Sequence, residues 1–363
     1  MVYLTLMIIF FAFHAVRWVR IRPFDSSLLQ TKSTPGRTDD PLVSILVPAW
    51  NGAQDIPDFV HTFRALSYSR KELILCAGGD DGSFRVAQRY EGECIKVVEQ
   101  CQGEGKQAAL ARSFALSQGD LIYLTDIDCR LDSDSFTKVL LPILQRKESV
   151  VTGSSIPVEA QRSIGAVLIH WATVRKVAGF KPRYIDGLLG RNCAATREAV
   201  QAIGGFCFDA PTGTDYRMAQ ELHKRGYRIW FEPRSEVKTL FAWPIRSYIR
   251  KRARWLRNVI LHAERPRQKA ELRGALIILA TPFGLLLLVG LSLFSAWLLP
   301  AFLTLLLVLH GGLNRLHYAR ETLPAKYIKP KLVSGSLLNL FGTLYAGLYA
   351  TTTLLVPALR RQW

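Results

Sequence analysis

Two aspartates separated by one residue are the strongest candidates for chemistry in this chain. Asp126 and Asp128 follow an apolar run, residues 121–124. If this run is a β-strand, carboxylates at positions i and i+2 beyond its end point the same way and can hold one divalent cation. Mg²⁺ or Mn²⁺ bound by one or two carboxylates commonly takes a substrate phosphate as a further ligand, so the pair indicates a nucleotide or sugar-nucleotide site. A solvated loop after a strand is the simpler alternative.

The charge of the chain gives this acidic pair more weight. The 363 residues carry a formal net charge of +18, and 49% of them are hydrophobic. Much of the excess positive charge lies in residues 217–273, next to long apolar segments. This arrangement favours anionic lipid headgroups and substrate phosphates as partners and argues against nucleic acid. Concentrated negative charge in so basic a chain needs a cationic partner.

Two long segments in the C-terminal third contain no charged residue, residues 275–309 and 332–359. As a single helix the first would be about 52 Å long, well beyond an apolar membrane core of about 30 Å, so we expect it to turn back as a hairpin. The candidate turn residues are Gly290, Ser292, Ser295 and Pro300. The second segment fits one tilted span.

The first residues of the chain, 1–19, are apolar and aromatic and are followed by Arg20 and Arg22. A cleaved signal peptide is one interpretation, but its positive charges precede the apolar stretch, and no small-residue cleavage site is evident here. We therefore predict a membrane anchor. Positive residues on its C-terminal side predict that the polar block after it faces the cytoplasm, in a protein of the cytoplasmic membrane.

The polar block alternates between β-branched apolar runs and helical spacing of apolar residues. The predicted strands are residues 43–47, 72–76, 94–98 and 120–125, and the predicted helices are residues 56–66 and 107–116. Such alternation indicates an α/β domain with a mostly parallel sheet covered on both faces. Ligands bind beyond the carboxyl ends of the strands in such sheets, and polar clusters follow three strands, at residues 49–52, 80–83 and 126–128.

These clusters belong to a longer series of motifs. In chain order they are Pro48-Ala49-Trp50-Asn51, Asp80-Asp81-Gly82-Ser83, Gly105-Lys106-Gln107-Ala108-Ala109-Leu110, Asp126-Ile127-Asp128, Gly190-Arg191-Asn192, Gly204-Gly205-Phe206, Thr214-Asp215 and Arg254-Trp255. With this series, residues 41–258 resemble the membrane-embedded family 2 glycosyltransferases, such as ceramide glucosyltransferase, cellulose synthase and hyaluronan synthase. The resemblance implies a Rossmann-like GT-A domain with a mostly parallel sheet, joined to α-helical transmembrane segments.

The apolar segments and the resemblance together divide the chain into seven parts. They are an N-terminal transmembrane anchor (1–22), a linker (23–40), a GT-A domain (41–240), a basic amphipathic interface segment (241–273), a transmembrane hairpin (274–312), a basic cytosolic loop (313–331) and a transmembrane helix (332–359).

The resemblance assigns donor-binding roles to residues across the polar block. Asp80 would accept a hydrogen bond from the uracil of a UDP-sugar, although an Asp-Gly turn explains the same residues. Asp126 and Asp128 would hold Mg²⁺ or Mn²⁺ at the diphosphate, which neutralises charge on the leaving group. The other residues assigned to the nucleotide-sugar site are Pro48, Asn51, Lys106 and Arg254.

Asp215 is the residue that the resemblance assigns as general base. It would remove the proton of the acceptor hydroxyl as that oxygen attacks the anomeric carbon, and one base suffices for a single displacement with inversion. The family has Thr-Glu-Asp here, whereas this chain has Thr214 in place of the glutamate. A predicted helix, residues 216–225, follows directly, so a helix-capping carboxylate is the alternative.

The acceptor side is assigned to Trp255 and to the loop containing Arg191 and Asn192. The family motif before Arg-Trp begins with Gln or Arg, and Lys251 takes that position here unless Arg250 is displaced by one residue. Residues 244–256 also fit a basic amphipathic helix on the membrane surface. Both interpretations hold together if the helix presents the site to a lipid headgroup.

Three functions remain open from the sequence. The favoured one is transfer of a single sugar from a UDP-hexose to a membrane lipid, because the anchor and the few C-terminal spans look like ceramide glucosyltransferase. A processive polysaccharide synthase is the second, although few spans are available for a polymer channel unless the chain oligomerises. A membrane-tethered binding protein with a degenerate transferase domain is the third. The sequence argues against it, because every charged catalytic position except the Thr-Glu-Asp glutamate is filled.

Overall fold

The computed structural model describes residues 1–25, 27, 40–208, 213–262, 268–294 and 298–356. The chain divides into two compact units. The sheet unit comprises Ser27–Val158 and Phe180–Leu240, and the helical unit comprises Met1–Ser26, Glu159–Gly179 and Phe241–Trp363. Most of the predicted linker and the end of the last predicted span lie outside the described residues.

The described residues form one sheet and twelve α-helices. The strands are β1 (Val43–Trp50), β2 (Lys71–Gly78), β3 (Ile95–Glu99), β4 (Leu121–Leu124), β5 (Cys129–Arg130), β6 (Val150–Pro157), β7 (Arg183–Ile185), β8 (Cys193–Thr196) and β9 (Ile229–Thr239). The helices are α1 (Val2–Arg20), α2 (Ile56–Arg64), α3 (Ser83–Gln88), α4 (Lys106–Leu116), α5 (Ser133–Leu144), α6 (Gly165–Ala178), α7 (Arg197–Ala202), α8 (Thr214–Lys224), α9 (Ile245–His262), α10 (Gln268–Phe294), α11 (Leu299–Thr322) and α12 (Lys331–Leu355).

The sheet has the strand order β3-β2-β1-β4-β8-β6-β9-β5, with β7 beside β9. Strand β1 is parallel to both β2 and β4, and β6 is parallel to β9. Strand β8 is antiparallel to both β4 and β6, so it joins the two parallel parts. The parallel pairs bring the carboxyl ends of β1, β2 and β4 to one edge of the sheet.

Strand β1 shows why these residues form a sheet buried on both faces. Ile45 and Val47 pack into one hydrophobic cluster, whereas Leu46 packs into a second cluster. All three side chains are fully buried. Successive residues of a strand point to opposite faces, so a continuous apolar run is stable only when helices cover both faces. The α/β architecture predicted from the sequence has this property.

Pro48 does not end β1, in contrast to the prediction from the sequence. The strand continues to Trp50, and Pro48 pairs with Cys76 of β2. The pairing of β1 with β4 stops at Leu46, whose carbonyl accepts from the Thr125 amide. Pro48 has the same strand parity as Leu46, so its nitrogen faces the side on which β4 has already ended. A proline that lacks its N–H is tolerated where no ladder bond is required.

The helical unit contains four helices that are long and apolar enough to cross a membrane. Their spans are Val2–Arg20, Leu272–Leu293, Leu299–Thr322 and Lys331–Leu355. Helix α10 ends at Phe294 and α11 begins at Leu299, so Gly290 and Ser292 are helical and do not form the turn. Helices α10 and α11 therefore occupy the segment that was predicted to form a hairpin.

Residues 313–322 continue α11, although the sequence predicted a loop from residue 313. Arg315 explains how a charged residue is accommodated in this helix. Its guanidinium donates to Asn339 Oδ1 of α12 at 2.9 Å and to the Gly311 carbonyl at 2.9 Å. A charge inside a helix bundle is stable when neighbouring polar groups receive its hydrogen bonds.

Helix α9 is amphipathic and longer than predicted. Ala253, Leu256 and Val259 are buried in a cluster with residues of α10 and α12. Arg254 and Trp255 are exposed on another face. The spacing of the buried residues at three and six positions is that of one helical face.

Gly165 of α6 and Gly335 of α12 lie where these two helices approach each other closely. A Cβ added at Gly335 would lie 2.3 Å from the Gly165 carbonyl carbon and 2.6 Å from the Ala166 nitrogen. These are backbone atoms, which cannot rotate away as a side chain can. The two helices can therefore cross at this distance only with glycine at position 335.

We expect Gly335→Ala to lower the stability of the full-length protein by about 1–3 kcal/mol, because the helices must separate to admit the methyl group. Thermal unfolding in detergent measures this change. Gly284→Ala in α10 is the matched control, since no heavy atom lies within 4 Å of its added Cβ. That control should melt with or slightly above the wild type, because alanine is the better helix former. Equal melting of both variants would contradict the packing assignment.

Candidate functional site

The loops after β1 and β2 are fastened to each other at the carboxyl edge of the sheet. Asn51 has a positive φ of 52°, and its amide donates to the Gly78 carbonyl at 3.0 Å. Its side-chain Oδ1 accepts from the Asp80 amide at 2.8 Å. A Cβ at Gly79 would lie 2.0 Å from this Oδ1, so glycine is required there. Asn51 thus holds the backbone of Asp80 in place.

Asp80 and Asp81 have different environments although they are adjacent. Asp80 is exposed at the end of β2. Asp81 accepts hydrogen bonds from the Ala53 amide at 2.9 Å and the Ser83 amide at 3.0 Å. Slight burial raises the pKa of Asp81, but the hydrogen bonds from Ser83 and Ala53 outweigh it and hold the pKa below its usual value. Asp81 therefore stabilises the turn, and Asp80 presents its carboxylate to solvent.

Five charged residues gather beyond β4, and we call them the charged cluster. They are Lys106, Asp126, Asp128, Arg191 and Asp215. The Lys106 Nζ donates to Asp126 Oδ1 at 2.7 Å and lies 3.5 Å from Asp215 Oδ1. The Arg191 Nε lies 4.0 Å from Asp126 Oδ2. Asp126 therefore has one cation near each of its oxygens, and Lys106 lies between two carboxylates.

Both cations of the charged cluster are fixed in their charged form. Burial lowers the pKa of Lys106, but the carboxylates of Asp126 and Asp215 raise it more, so the pKa lies above its usual value. The same competition raises the pKa of Arg191, for which Asp126 is the largest favourable contribution. The side chains of Asp126 and Asp215 keep 30% and 38% of their surface exposed, so a ligand can reach them.

Asp215 lies in the first turn of α8, which begins two residues earlier than the predicted helix. The helix begins at Thr214 with Gly213 as its N-cap, so Asp215 is not the capping residue. Its Oδ2 instead accepts from the Gly190 amide at 3.2 Å. A Cβ at Gly190 would lie 2.2 Å from Asp215 Oδ1, which only glycine avoids. The Gly190-Arg191 loop is therefore shaped around this carboxylate.

The charged cluster suits a divalent cation by its donor chemistry. Asp126 and Asp128 provide hard oxygen ligands, and Asp128 Oδ1 accepts from Thr239 Oγ1 at 3.2 Å. Cys129 is fully buried, and its burial and the neighbouring Asp128 raise the pKa of its thiol to about 12. Among the described residues no group of three or more His, Cys, Asp or Glu side chains could hold a metal ion. Two carboxylates match Mg²⁺ or Mn²⁺, which take their remaining ligands from water and substrate phosphate.

The formal charges of the cluster also favour a divalent cation. Three carboxylates and two cations leave the charged cluster with one net negative charge, which repels a diphosphate. A divalent cation would reverse that sign. Thr239 was not among the residues singled out in the sequence, because nothing near it in the chain indicates that β9 ends beside Asp128.

Asn192 is part of the strand framework. Its side chain is fully buried, its Nδ2 donates to the Ser154 carbonyl at 2.9 Å and to Ser235 Oγ at 3.0 Å, and its Oδ1 accepts from the Tyr123 hydroxyl at 3.1 Å. The chain turns inward after Arg191, and these partners occupy the side-chain amide. The acceptor role of Asn192 stays a prediction, against which the burial of this side chain argues.

Arg254 and Trp255 belong to the helical unit, on α9. Both are exposed, and the Arg252 guanidinium lies over the Trp255 ring at 4.5 Å. A pocket of about 220 Å³ is lined by Ser247, Arg250, Lys251 and Arg254. These four residues recur at helical spacing, so they form a cationic face. The predicted site residues that the sheet unit brings together are those of the charged cluster, Lys106, Asp126, Asp128, Arg191 and Asp215.

Residues 40–258 match the sequence profile of the family described as glycosyltransferase like family 2. This match covers more than half of the chain. The chain therefore belongs to glycosyltransferase family 2, as its motifs indicated.

Curated relatives extend this result. The chain is 26% identical over 239 residues to a probable glycosyltransferase, YdaM, of Bacillus subtilis, a match that covers 60% of this chain and 55% of the relative. It is 26% identical over 265 residues to the succinoglycan biosynthesis protein ExoA of Rhizobium meliloti, covering 67% and 77%. It is 23% identical over 229 residues to the poly-β-1,6-N-acetyl-D-glucosamine synthase of Staphylococcus aureus, covering 59% and 53%. Two of these three matches thus span little more than half of the relative.

One solved structure shares the fold over most of the chain. It is the mannosyltransferase PcManGT from Pyrobaculum calidifontis in complex with GDP-Man and Mn²⁺, with a TM-score of 0.56 and 19% identity. The match covers 93% of this chain and 98% of that one. The predicted fold class, a GT-A sheet domain joined to long apolar helices, is confirmed.

We expect Asn192→Ala to destabilise the protein by at least about 2 kcal/mol, because it leaves the buried Tyr123 hydroxyl and Ser154 carbonyl without their hydrogen bonds. Thermal unfolding of the full-length protein measures the loss. Gln102→Ala is the control, since Gln102 is exposed. A melting temperature of Asn192→Ala that equals the wild-type value would contradict the framework role of this side chain.

Proposed function

We propose that this chain transfers one sugar from a nucleotide sugar, a UDP-hexose, to a membrane lipid with inversion at the anomeric carbon. The observation that carries the proposal is the charged cluster. Lys106 Nζ lies within 3.5 Å of both Asp126 and Asp215. The group assigned to the leaving diphosphate and the group assigned to the attacking hydroxyl are therefore only a few ångströms apart, as a single displacement requires.

The donor end of the proposed site lies at the edge where β1, β2 and β4 end. Asp80 would read the nucleobase, supported by its exposed carboxylate and by the Asn51 hydrogen bond that fixes its backbone. Pro48 and Asn51 would line the donor site beside Asp80. A carboxylate that a bound base covers discriminates between bases, because the wrong base leaves it unpaired.

The diphosphate would lie at the start of α4. Lys106 is the first residue of this helix, Gly105 is its N-cap, and no acidic residue occupies the first turn. Backbone N–H groups at a helix N-terminus attract phosphate, and the Lys106 ammonium adds a full positive charge. Asp126 and Asp128 would hold Mg²⁺ or Mn²⁺, which when bound supplies charge neutralisation to the leaving diphosphate. Arg254 would add a bidentate contact.

Asp215 would act as the general base. Its carboxylate is oriented by the Gly190 amide and remains partly exposed, so that an acceptor hydroxyl can reach it. The base accepts the hydroxyl proton while the hydroxyl oxygen forms its bond to the anomeric carbon and the diphosphate departs. One carboxylate base and one displacement give an inverted product. Arg191, beside Asp126, and Trp255 would contribute to the acceptor side.

A lipid acceptor is supported by the helical unit. Four helices of this unit are long and apolar enough to cross a membrane, and α9 exposes Arg250, Arg254 and Trp255. A basic helix with an aromatic residue suits the membrane interface, where a lipid hydroxyl would be presented. The basic residues after the first apolar helix support a protein of the cytoplasmic membrane whose sheet unit faces the cytoplasm.

A processive polysaccharide synthase is the second candidate. Its support is the similarity to proteins named for succinoglycan biosynthesis and for poly-β-1,6-N-acetyl-D-glucosamine synthesis. Incubation of the purified full-length protein with UDP-[14C]hexose, membrane lipids and Mn²⁺ separates the candidates. One radiolabelled product that partitions into organic solvent supports the first candidate, whereas a ladder of water-soluble polymer supports the second.

Asp215→Asn should lower the rate of sugar transfer by about 10²–10⁴-fold, because the amide cannot accept the hydroxyl proton. Binding of UDP should be kept or strengthened, since the substitution keeps the shape of the side chain and removes one negative charge from the charged cluster. Transfer rates and UDP titrations on the same preparation test both expectations. Asp134→Asn is the control, because its side chain is 55% exposed and pairs with Lys138 along its own helix. Full activity of Asp215→Asn would exclude Asp215 as the base.

A further inference from the structure

We infer that Lys106 couples metal binding to nucleotide binding, because its ammonium competes with a divalent cation for Asp126. This inference rests on the proposed function and concerns how the same site is regulated. It predicts that Mn²⁺ binds weakly by itself and tightly together with a nucleoside diphosphate. It also makes Asp215 available as a base only when the donor is bound.

The contact geometry of Asp126 is the first support. Lys106 Nζ lies 2.7 Å from Oδ1, and Arg191 Nε lies 4.0 Å from Oδ2. A metal ligated by this carboxylate would sit at about 2.0–2.6 Å from one of its oxygens. The metal, the Lys106 ammonium and the Arg191 guanidinium would then share one carboxylate in a partly buried site, where repulsion between them is weakly screened. A metal that binds alone must therefore displace the ammonium.

The position of Lys106 on α4 is the second support. A lysine at the first position of a helix faces the positive end of the helix dipole, which is locally unfavourable. The two carboxylates, Asp126 and Asp215, offset this cost. A phosphate at the same helix end offers the ammonium an alternative anionic partner. The flexible stem of lysine allows its ammonium to reach either one.

Phosphate oxygens resolve the competition. They accept hydrogen bonds from the ammonium, which has three donors, and they ligate the metal at the same time. When Lys106 turns to the phosphate, Asp126 is released to the metal and Asp215 loses its cationic neighbour at 3.5 Å. The base therefore becomes free to accept a proton only after the donor has bound, so the donor binds before the acceptor reacts.

Isothermal titration of MnCl₂ into the full-length protein in detergent tests the inference, with and without UDP. In the wild type, UDP should raise the Mn²⁺ affinity by about tenfold or more, and by linkage Mn²⁺ should raise the UDP affinity equally. Lys106→Gln should bind Mn²⁺ alone about tenfold more tightly than the wild type and should show less coupling to UDP. Lys106→Arg keeps the charge and should behave as the wild type does.

Arg191→Gln is the matched control. It removes the same unit of charge, but Arg191 Nε is 4.0 Å from Asp126 and makes no short contact. We expect it to raise the affinity for Mn²⁺ alone by less than about threefold, because its guanidinium lies further from the carboxylate than the Lys106 ammonium does. An equal gain in both variants would show a general field effect and would overturn direct competition by Lys106. Unchanged Mn²⁺ affinity in Lys106→Gln would overturn it as well.

The two proposals fail in different ways. If wild type binds UDP and Mn²⁺ cooperatively but Lys106→Gln gains no affinity for Mn²⁺ alone, the role of Lys106 is wrong and the nucleotide site stands. If the wild type shows no binding of UDP in the presence of Mn²⁺, and Asp126→Ala changes nothing, the proposed donor site itself is wrong. Melting temperatures close to that of the wild type show that each variant is folded.

Discussion

The parallel pairing of β1 with β2 and β4 is the constraint on which the rest of the sheet unit depends. Because the three strands run the same way, the loops after Trp50, Gly78 and Leu124 all emerge at one edge. Burial of both faces of β1 fixes this pairing, since a slip by one residue would exchange the residues of two separate hydrophobic clusters. The apolar sheet thus positions the polar loops of the candidate site.

Electrostatic balance then determines what those loops can do. The charged cluster places a lysine between two carboxylates, a partly buried arrangement in which each charge stabilises the others. A cluster that satisfied its own charges completely would be inert to ligands. Here the sum remains negative by one charge and the carboxylates stay partly exposed, so the site can exchange internal ion pairs for a metal and a phosphate.

The helical unit solves a different problem with the same principles. Its apolar helices satisfy their backbone groups internally, as a membrane demands, and several of their polar side chains are paired within the unit. Arg315 finds Asn339, and the glycines at 165 and 335 let two helices touch at backbone distance. The basic face of α9 remains exposed, whereas its apolar face is buried.

Local pattern was sufficient to predict the alternation of strands and helices and the apolar helices, because these depend on residues close together in the chain. The acidic pair was also visible locally, whereas the candidate base came from the family resemblance. Contacts between segments that are distant in the chain could not be predicted from local pattern. The sequence marked Asn192 for an acceptor, but the packing of β6, β8 and β9 buries its amide. Nothing local indicated that Lys106 would bridge Asp126 and Asp215, or that Thr239 would reach Asp128. Sequence determines which chemistry is available through residue type and periodicity, whereas only tertiary packing decides which charges meet, because that depends on strand order and register.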